Sequence, residues 1–379
     1  MKFETQLIHC GNSLDQATGA VSIPIYRAST FKQTGLGGNP KWEYGRTGNP
    51  TRLALEKLIS DLEGGVAGFA FASGSAAIHT VFSLFSAGDH LVIGSDVYGG
   101  TFRLVDKVLK RFGLEFTVVN MQDLAAVRAA IKDKTVGIYF ETPTNPLLEL
   151  ADIKQIAQIG KEHGVKIIVD NTFATPYNQQ PLRLGADIVV HSATKYLGGH
   201  SDVVAGLAVT NDATVAEDLA FLQNSLGNVL GPDDSWLVQR GIKTLGARMR
   251  LHHENTAAIV DFLTQHPKVK RVLYPGLKTS PNYWLATTQM TGFGAMVSFE
   301  LVSGADVKAF IESLEVITLA ESLGGIESLI EVPAIMTHGS IPRKIRLTNG
   351  ISDELIRLSV GIEAKEDLLA DLKQALAHS

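Results

Sequence analysis

VKIIVDNTFATPYNQQPLRLGADIVVHSATKYLGG (165–199) holds two short apolar runs, each closed by a cluster of polar residues. The runs 165–170 and 187–192 are apolar on both faces, as strands are when helices cover both sides of a sheet. Five further runs of this kind flank them, at 68–73, 90–96, 114–120, 135–141 and 206–210. The segments between them have helical spacing; in 151–164, for example, Ile153, Ile156, Ala157 and Gly160 share one face. This alternation predicts an α/β domain built on a mainly parallel sheet. Ligands of open α/β sheets bind beyond the carboxyl ends of the strands. The first quoted run ends in Asp170-Asn171-Thr172 and the second in His191-Ser192-Ala193-Thr194-Lys195. An acid and a lysine, 25 positions apart, are thereby brought to neighbouring strand ends.

On the amino-terminal side, residues 1 to about 50 are rich in Gly, Pro, Ser and Thr and read as an extended arm. Asn49-Pro50 then opens a helix through Leu62, with Gly64-Gly65 closing it. After about residue 235 the pattern changes. A long helix starting near Trp236, then strands in AMVSFEL (295–301) and IRLSVGIE (356–363), predict a smaller α/β domain. The expected division is an arm over 1–47, a ligand-binding domain over 48–235 and a carboxyl-terminal domain over 236–379.

The chain has 379 residues, 45% of them hydrophobic, with a formal net charge of −5. Acids and bases are dispersed, so no basic stripe is available for a nucleic acid. No apolar run approaches the ~20 residues that span a bilayer, and MKFETQLIHCGNSLDQ (1–16) lacks the pattern of a signal peptide. With one cysteine, Cys10, and hence no intrachain disulfide, the expected location is the cytoplasm. His252-His253-Glu254 lacks metal-ligand spacing and reads as partner-facing or solvated. Trp42 and Trp284 lie in loop-like segments and read as packing residues.

The acid and lysine suit pyridoxal phosphate. A partly desolvated lysine amine is neutral often enough to condense with the cofactor's aldehyde, and a carboxylate against the pyridine nitrogen keeps the ring an electron sink. Taken singly, Asp170 could cap a turn and Lys195 could be a solvated lysine; their joint placement among small hydroxyl and glycine residues favours the cofactor. In FASGSAAIHT (71–80), the chain passes from strand to helix through Ser73-Gly74-Ser75, where free N–H groups and the helix dipole can receive a phosphate. Ser192 and Thr194 add hydroxyl donors. Tyr98, just past a strand end, is placed to stack on a planar ring and exchange a proton through its hydroxyl, or else to pack in its loop. On the last strand, alternation turns Arg357 away from Ile356 and Leu358, so its planar fork can meet an amino-acid carboxylate or a surface acid. A nucleotide-binding oxidoreductase on a similar sheet would need the GxGxxG spacing that is missing here.

The chain resembles the Cys/Met-metabolism family of pyridoxal-phosphate enzymes, whose fold-type I members include cystathionine γ-lyases, β-lyases and γ-synthases and methionine γ-lyases. The resemblance rests on YGRTGNPTR (44–52), SGSAA (73–77), DVYGGT (96–101), ETPTNP (141–146), VDNTF (169–173), HSATKYLGGHSDV (191–203), AESLGG (320–325), MTHGS (336–340) and IRLSVGIE (356–363). It implies that Lys195 carries pyridoxal phosphate, that Asp170 pairs with its ring nitrogen and that Tyr98 stacks on the ring. The Gly74 and Ser75 amides with the Ser192 and Thr194 hydroxyls would hold the phosphate. Tyr44 and Arg46 would complete a neighbouring subunit's phosphate site, which implies a homotetramer, a dimer of dimers with shared active sites. Asn145 would lie near the ring hydroxyl and the substrate, Arg357 would clamp the substrate carboxylate and Ser322 would steady the lysine. Gly100 stands where methionine γ-lyases usually have Cys. Glu321 resembles the acid that γ-lyases and γ-synthases place near the distal substrate amine. The resemblance implies a cystathionine γ-lyase activity, with β-elimination, or less closely a synthase reaction, as the alternative.

Overall fold

The computed structural model describes residues 1–11, 15, 17–38, 40–339 and 342–379. Ser340, the last residue of MTHGS, lies outside them. The helix Pro50–Glu63 opens on Asn49, whose side chain accepts the N–H groups of Thr51 and Arg52, with Pro at the first helical position. The apolar runs become seven strands: β1 (Ala67–Phe71), β2 (His90–Gly94), β3 (Glu115–Val119), β4 (Thr135–Glu141), β5 (Lys166–Asp170), β6 (Ile188–Ser192) and β7 (Gly206–Thr210). They form one sheet in the order β1-β7-β6-β5-β4-β2-β3. Every pair is parallel except those of β7, which runs antiparallel to both β1 and β6. An antiparallel partner needs no helical crossover. The β6–β7 connection therefore stays at the carboxyl edge of the parallel strands, and it carries Thr194 and Lys195.

Strand β5 shows why its sequence is continuously apolar: Ile167 and Val169 enter the hydrophobic core on one face, Ile168 the core on the other. A second sheet comprises β8 (Val269–Leu273), β9 (Met296–Leu301), β10 (Thr318–Leu319), β11 (Leu329–Glu331) and β12 (Leu355–Ser359), in the order β10-β11-β12-β9-β8. Here only β10 and β11 pair in parallel. The larger hydrophobic core is shared by both sheets, with Val169 at one end and Leu358 at the other.

Four expectations change. The chain opens with a helix, Phe3–His9, whose Leu7 is buried in the main core, so the arm-like stretch begins after it. The predicted long helix is two, Pro232–Lys243 and Leu245–Gln265, separated at Thr244. Arg248 staples that break: its guanidinium donates to the Thr244 hydroxyl and to the Gly241 and Tyr196 carbonyls. His252, expected at a surface, is fully buried, bonds the Val360 carbonyl through Nδ1 at 2.7 Å and meets Tyr196 edge-on. His253 is half-buried against Tyr177. The cause is the packing of their helix against β8, β9 and neighbouring helices, with Tyr196 and Val360 closing over His252, which local sequence does not show. Trp42 packs on Phe31, but Trp284 lies on the short helix Tyr283–Gln289 and is 78% exposed.

Candidate active site

The strand ends converge as the topology dictates. Asp170 closes β5 directly beside Glu141, the last residue of β4. Its Oδ1 accepts the Thr172 N–H at 3.0 Å and the Thr172 hydroxyl at 2.5 Å, and its Oδ2 accepts the Tyr139 hydroxyl at 3.2 Å. Burial raises both acids above the usual carboxylate range, and Glu141 is pushed well above it because Asp170 adds like-charge repulsion. Glu141 lacks the hydroxyl donors that favour the ionised form of Asp170, so Asp170 is the better held of the two as a carboxylate. Glu141 also accepts the Tyr98 backbone N–H at 2.5 Å, tying the tyrosine loop to the acid pair. A Cβ added at Gly100 would lie 2.2 Å from the Tyr98 ring, so a larger residue there would displace the ring.

Lys195 follows β6. Its Nζ donates to the Ser322 hydroxyl at 2.7 Å, and burial together with the charge of Arg357 lowers its pKa to about 8. Ser322 is one of few non-glycine residues in the left-handed region, at φ +85°, and its carbonyl accepts from Arg357 at 2.7 Å. Arg357, on β12, is buried rather than at a surface. It donates to the Asn145 side-chain oxygen at 2.9 Å and pairs with Glu331 at 3.0 Å.

At the other end of the site Ser73 caps the helix Gly74–Phe82 by accepting the Ala76 N–H. Gly74 lies against β6: a Cβ there would sit 3.0 Å from the Ser192 Cβ, so only glycine allows the helix start to approach so closely. Thr194 exchanges hydrogen bonds with the Ala205 backbone, which fixes its hydroxyl at the rim.

Eleven of the thirteen residues singled out in the sequence line one cavity of about 490 Å³: Gly74, Ser75, Tyr98, Asn145, Asp170, Ser192, Thr194, Lys195, Glu321, Ser322 and Arg357. Tyr44 and Arg46 do not line it. Tyr44 is 48% exposed, and Arg46 lies over its ring and donates to the backbone and side chain of Asn224. Sequence reasoning missed Glu141, Tyr139, Thr172 and Glu331. The first three sit at or beside quoted strand ends, where their polarity against an apolar run was the available signal; Glu331 gave none.

The site suits pyridoxal phosphate on its own chemistry. Asp170 is a part-buried carboxylate held by a backbone N–H and neutral hydroxyls, and a protonated ring nitrogen would supply its counter-charge. A part-buried amine of lowered pKa and a helix start kept open by Gly74 complete the set.

A family model for Cys/Met metabolism PLP-dependent enzymes matches residues 4–377. The chain is 61% identical over 373 residues to a cystathionine β-lyase of Lactococcus lactis subsp. cremoris, covering 98% of each, and 57% identical over 378 residues to a cystathionine γ-lyase of Bacillus subtilis, covering 100% of each. A crystal structure of cystathionine γ-lyase from Lactobacillus plantarum complexed with L-serine superposes with a TM-score of 0.97 at 62% identity, covering 100% of this chain and 99% of the other. With sequence, fold and cavity in agreement over nearly its whole length, the chain belongs to the Cys/Met metabolism pyridoxal-phosphate-dependent enzymes.

Proposed function

We propose that this enzyme is a cystathionine γ-lyase, converting L-cystathionine and water to cysteine, 2-oxobutanoate and ammonia. The observation that carries this reading is Glu321, an exposed carboxylate on the cavity wall one residue from Ser322. Lining the same cavity as Arg357, it would meet the distal ammonium of a two-headed amino acid. Arg357, buried and planar, would bind the α-carboxylate. Asp170 would keep the cofactor's ring nitrogen protonated, Tyr98 would cover the ring and the Ser73–Ser75 helix start would take the phosphate. Bound there, the cofactor would supply an electron sink. Lys195 would hold and move protons at Cα and Cβ, and the Tyr98 hydroxyl would deliver one to the departing sulfur. Tyr44 and Arg46 lie outside their own cavity, which supports a site shared between subunits in which they would complete a partner's phosphate site, within the expected dimer of dimers.

β-Elimination, giving homocysteine, pyruvate and ammonia, is the second reading; it is favoured by the identity to the Lactococcus β-lyase. The same proton-moving residues serve both, and the end of cystathionine that meets Arg357 selects the bond. Product analysis decides between them. Cysteine and 2-oxobutanoate are expected as the main products; a majority of homocysteine and pyruvate would replace γ-lyase with β-lyase.

The lowered pKa of Lys195 makes a separate prediction. At pH 7 about one amine in ten is neutral, against on the order of one in 10³ for an ordinary lysine. Capture of pyridoxal phosphate by the cofactor-free protein, followed by absorbance, is expected to quicken with pH and level off above about 8. A rate still climbing at pH 10 would contradict the assigned environment.

A further inference from the structure

Glu331 closes β11 directly opposite Arg357 on β12. Both are buried, at 0% and 3% exposure. One carboxylate oxygen lies 3.0 Å from the Arg357 guanidinium as an ion pair and accepts from the Thr337 hydroxyl at 2.9 Å, while Oε2 has no hydrogen-bond partner among the described residues. The hydrogen-bond partners of Arg357, Asn145 and the Ser322 carbonyl, are neutral, and the Glu321 carboxylate on the cavity wall acts on it after Glu331. Arg357 and Thr337 line the cavity; Glu331 stands behind them.

A buried ion pair is a costly feature, and replacing its charges by neutral groups often stabilises a protein. Its presence beside a ligand cavity points to a role in binding. An unpaired guanidinium in so buried a place would attract any anion strongly, because local screening is weak. With Glu331 at its back, the same fork still offers geometry but little net charge.

We propose that Glu331 is a specificity-determining positioning residue: it fixes Arg357 from behind and cancels its charge, so that the cavity accepts the single α-carboxylate of a zwitterionic amino acid and discriminates against dianionic ligands. This rests on reading Arg357 as the carboxylate clamp. Burial raises the Glu331 carboxyl above its ordinary value against the pull of Arg357, whose guanidinium stands 3.0 Å away as its counter-charge. The other groups facing it are Lys195, Glu321 and Thr337. His338, bonded to Thr337, is kept neutral by a pKa lowered to about 4 through burial.

The test uses the cofactor-loaded, full-length protein, with propionate and succinate as probes. Inhibition constants are measured for wild type, Glu331→Gln and Arg357→Ala. Gln keeps an oxygen for Arg357 but removes the charge. Glu331→Gln is expected to tighten succinate about tenfold and propionate about threefold, more so at low salt. The pH midpoint of the visible absorbance should move down by about half a unit, because a negative charge near the Lys195 nitrogen is lost. A purely structural residue would leave that midpoint in place and weaken both probes. Unchanged or weakened inhibition in Glu331→Gln, with Arg357→Ala abolishing it, overturns the proposal alone. Inhibition indifferent to Arg357→Ala overturns the clamp reading and the proposal with it. Should Glu331→Gln fail to fold, Glu331→Met, which removes the same charge and keeps the length of the side chain, decides. Tightening of succinate by about twofold or more supports the proposal, and no change overturns it.

Discussion

Lys195→Ala is expected to leave the protein folded but colourless in the visible range, with turnover on cystathionine reduced at least about 10⁴-fold. In the proposed mechanism the amine both holds the cofactor and moves protons, and among the described residues no other lysine lines the cavity. The Ser322 hydroxyl would lose its donor but keeps access to water through the cavity, so stability should change little. The variant also probes the subunit arrangement. Arg46→Ala is expected to release cofactor more readily while folding normally. In an equal mixture of the two variants exchanged between dimers, half the dimers are mixed, and each of those has one site with both Lys195 and the partner's Arg46 intact. Activity of up to about a quarter of wild type should return. A mixture as inactive as its components would rule out the shared site.

Asp170→Asn is the second large effect. Asn keeps the shape and an oxygen for the Thr172 donors but loses the charge proposed to keep the ring nitrogen protonated. An ion pair at about 4 Å and an effective dielectric constant near 20 is worth roughly 4 kcal/mol, or about three powers of ten in rate if it acts wholly in the transition state. A fall in kcat of about 10³ is expected, and one of less than tenfold would refute the role. Stability should move the other way. The raised pKa values of Asp170 and Glu141 mean that the folded, cofactor-free protein suffers a penalty for ionisation that fades as pH falls through them. Removing one of the two acids should therefore raise the melting temperature of the cofactor-free protein at neutral pH. A lowered one would mean that the charge serves folding rather than cofactor binding.

How much of this was legible differs from element to element. The seven strands of the main sheet could be read because apolar runs bounded by polar clusters are local features, and the sequence places Asp170 and Lys195 at their ends without knowledge of the fold. The break at Thr244 could not be read, because both helices keep helical spacing and it is Arg248, reaching the Tyr196 carbonyl 52 positions earlier, that stabilises it. His252 looked polar and exposed for the same reason: its partner, the Val360 carbonyl, is 108 positions away.

The sequence by itself determined the class of sheet, the residues at its carboxyl edge and, through motif resemblance, the cofactor. The tertiary structure alone decided the charge state of that edge. Glu141 becomes a buried neighbour of Asp170 only when β4 and β5 align in register. Glu331 neutralises Arg357 only when β11 and β12 pair. Lys195 acquires its lowered pKa only when the second sheet brings Arg357 and Ser322 over it. The physical reason is that chemical identity is local to a residue, whereas desolvation and charge–charge interaction depend on what folding places within a few ångströms, whatever the separation along the chain.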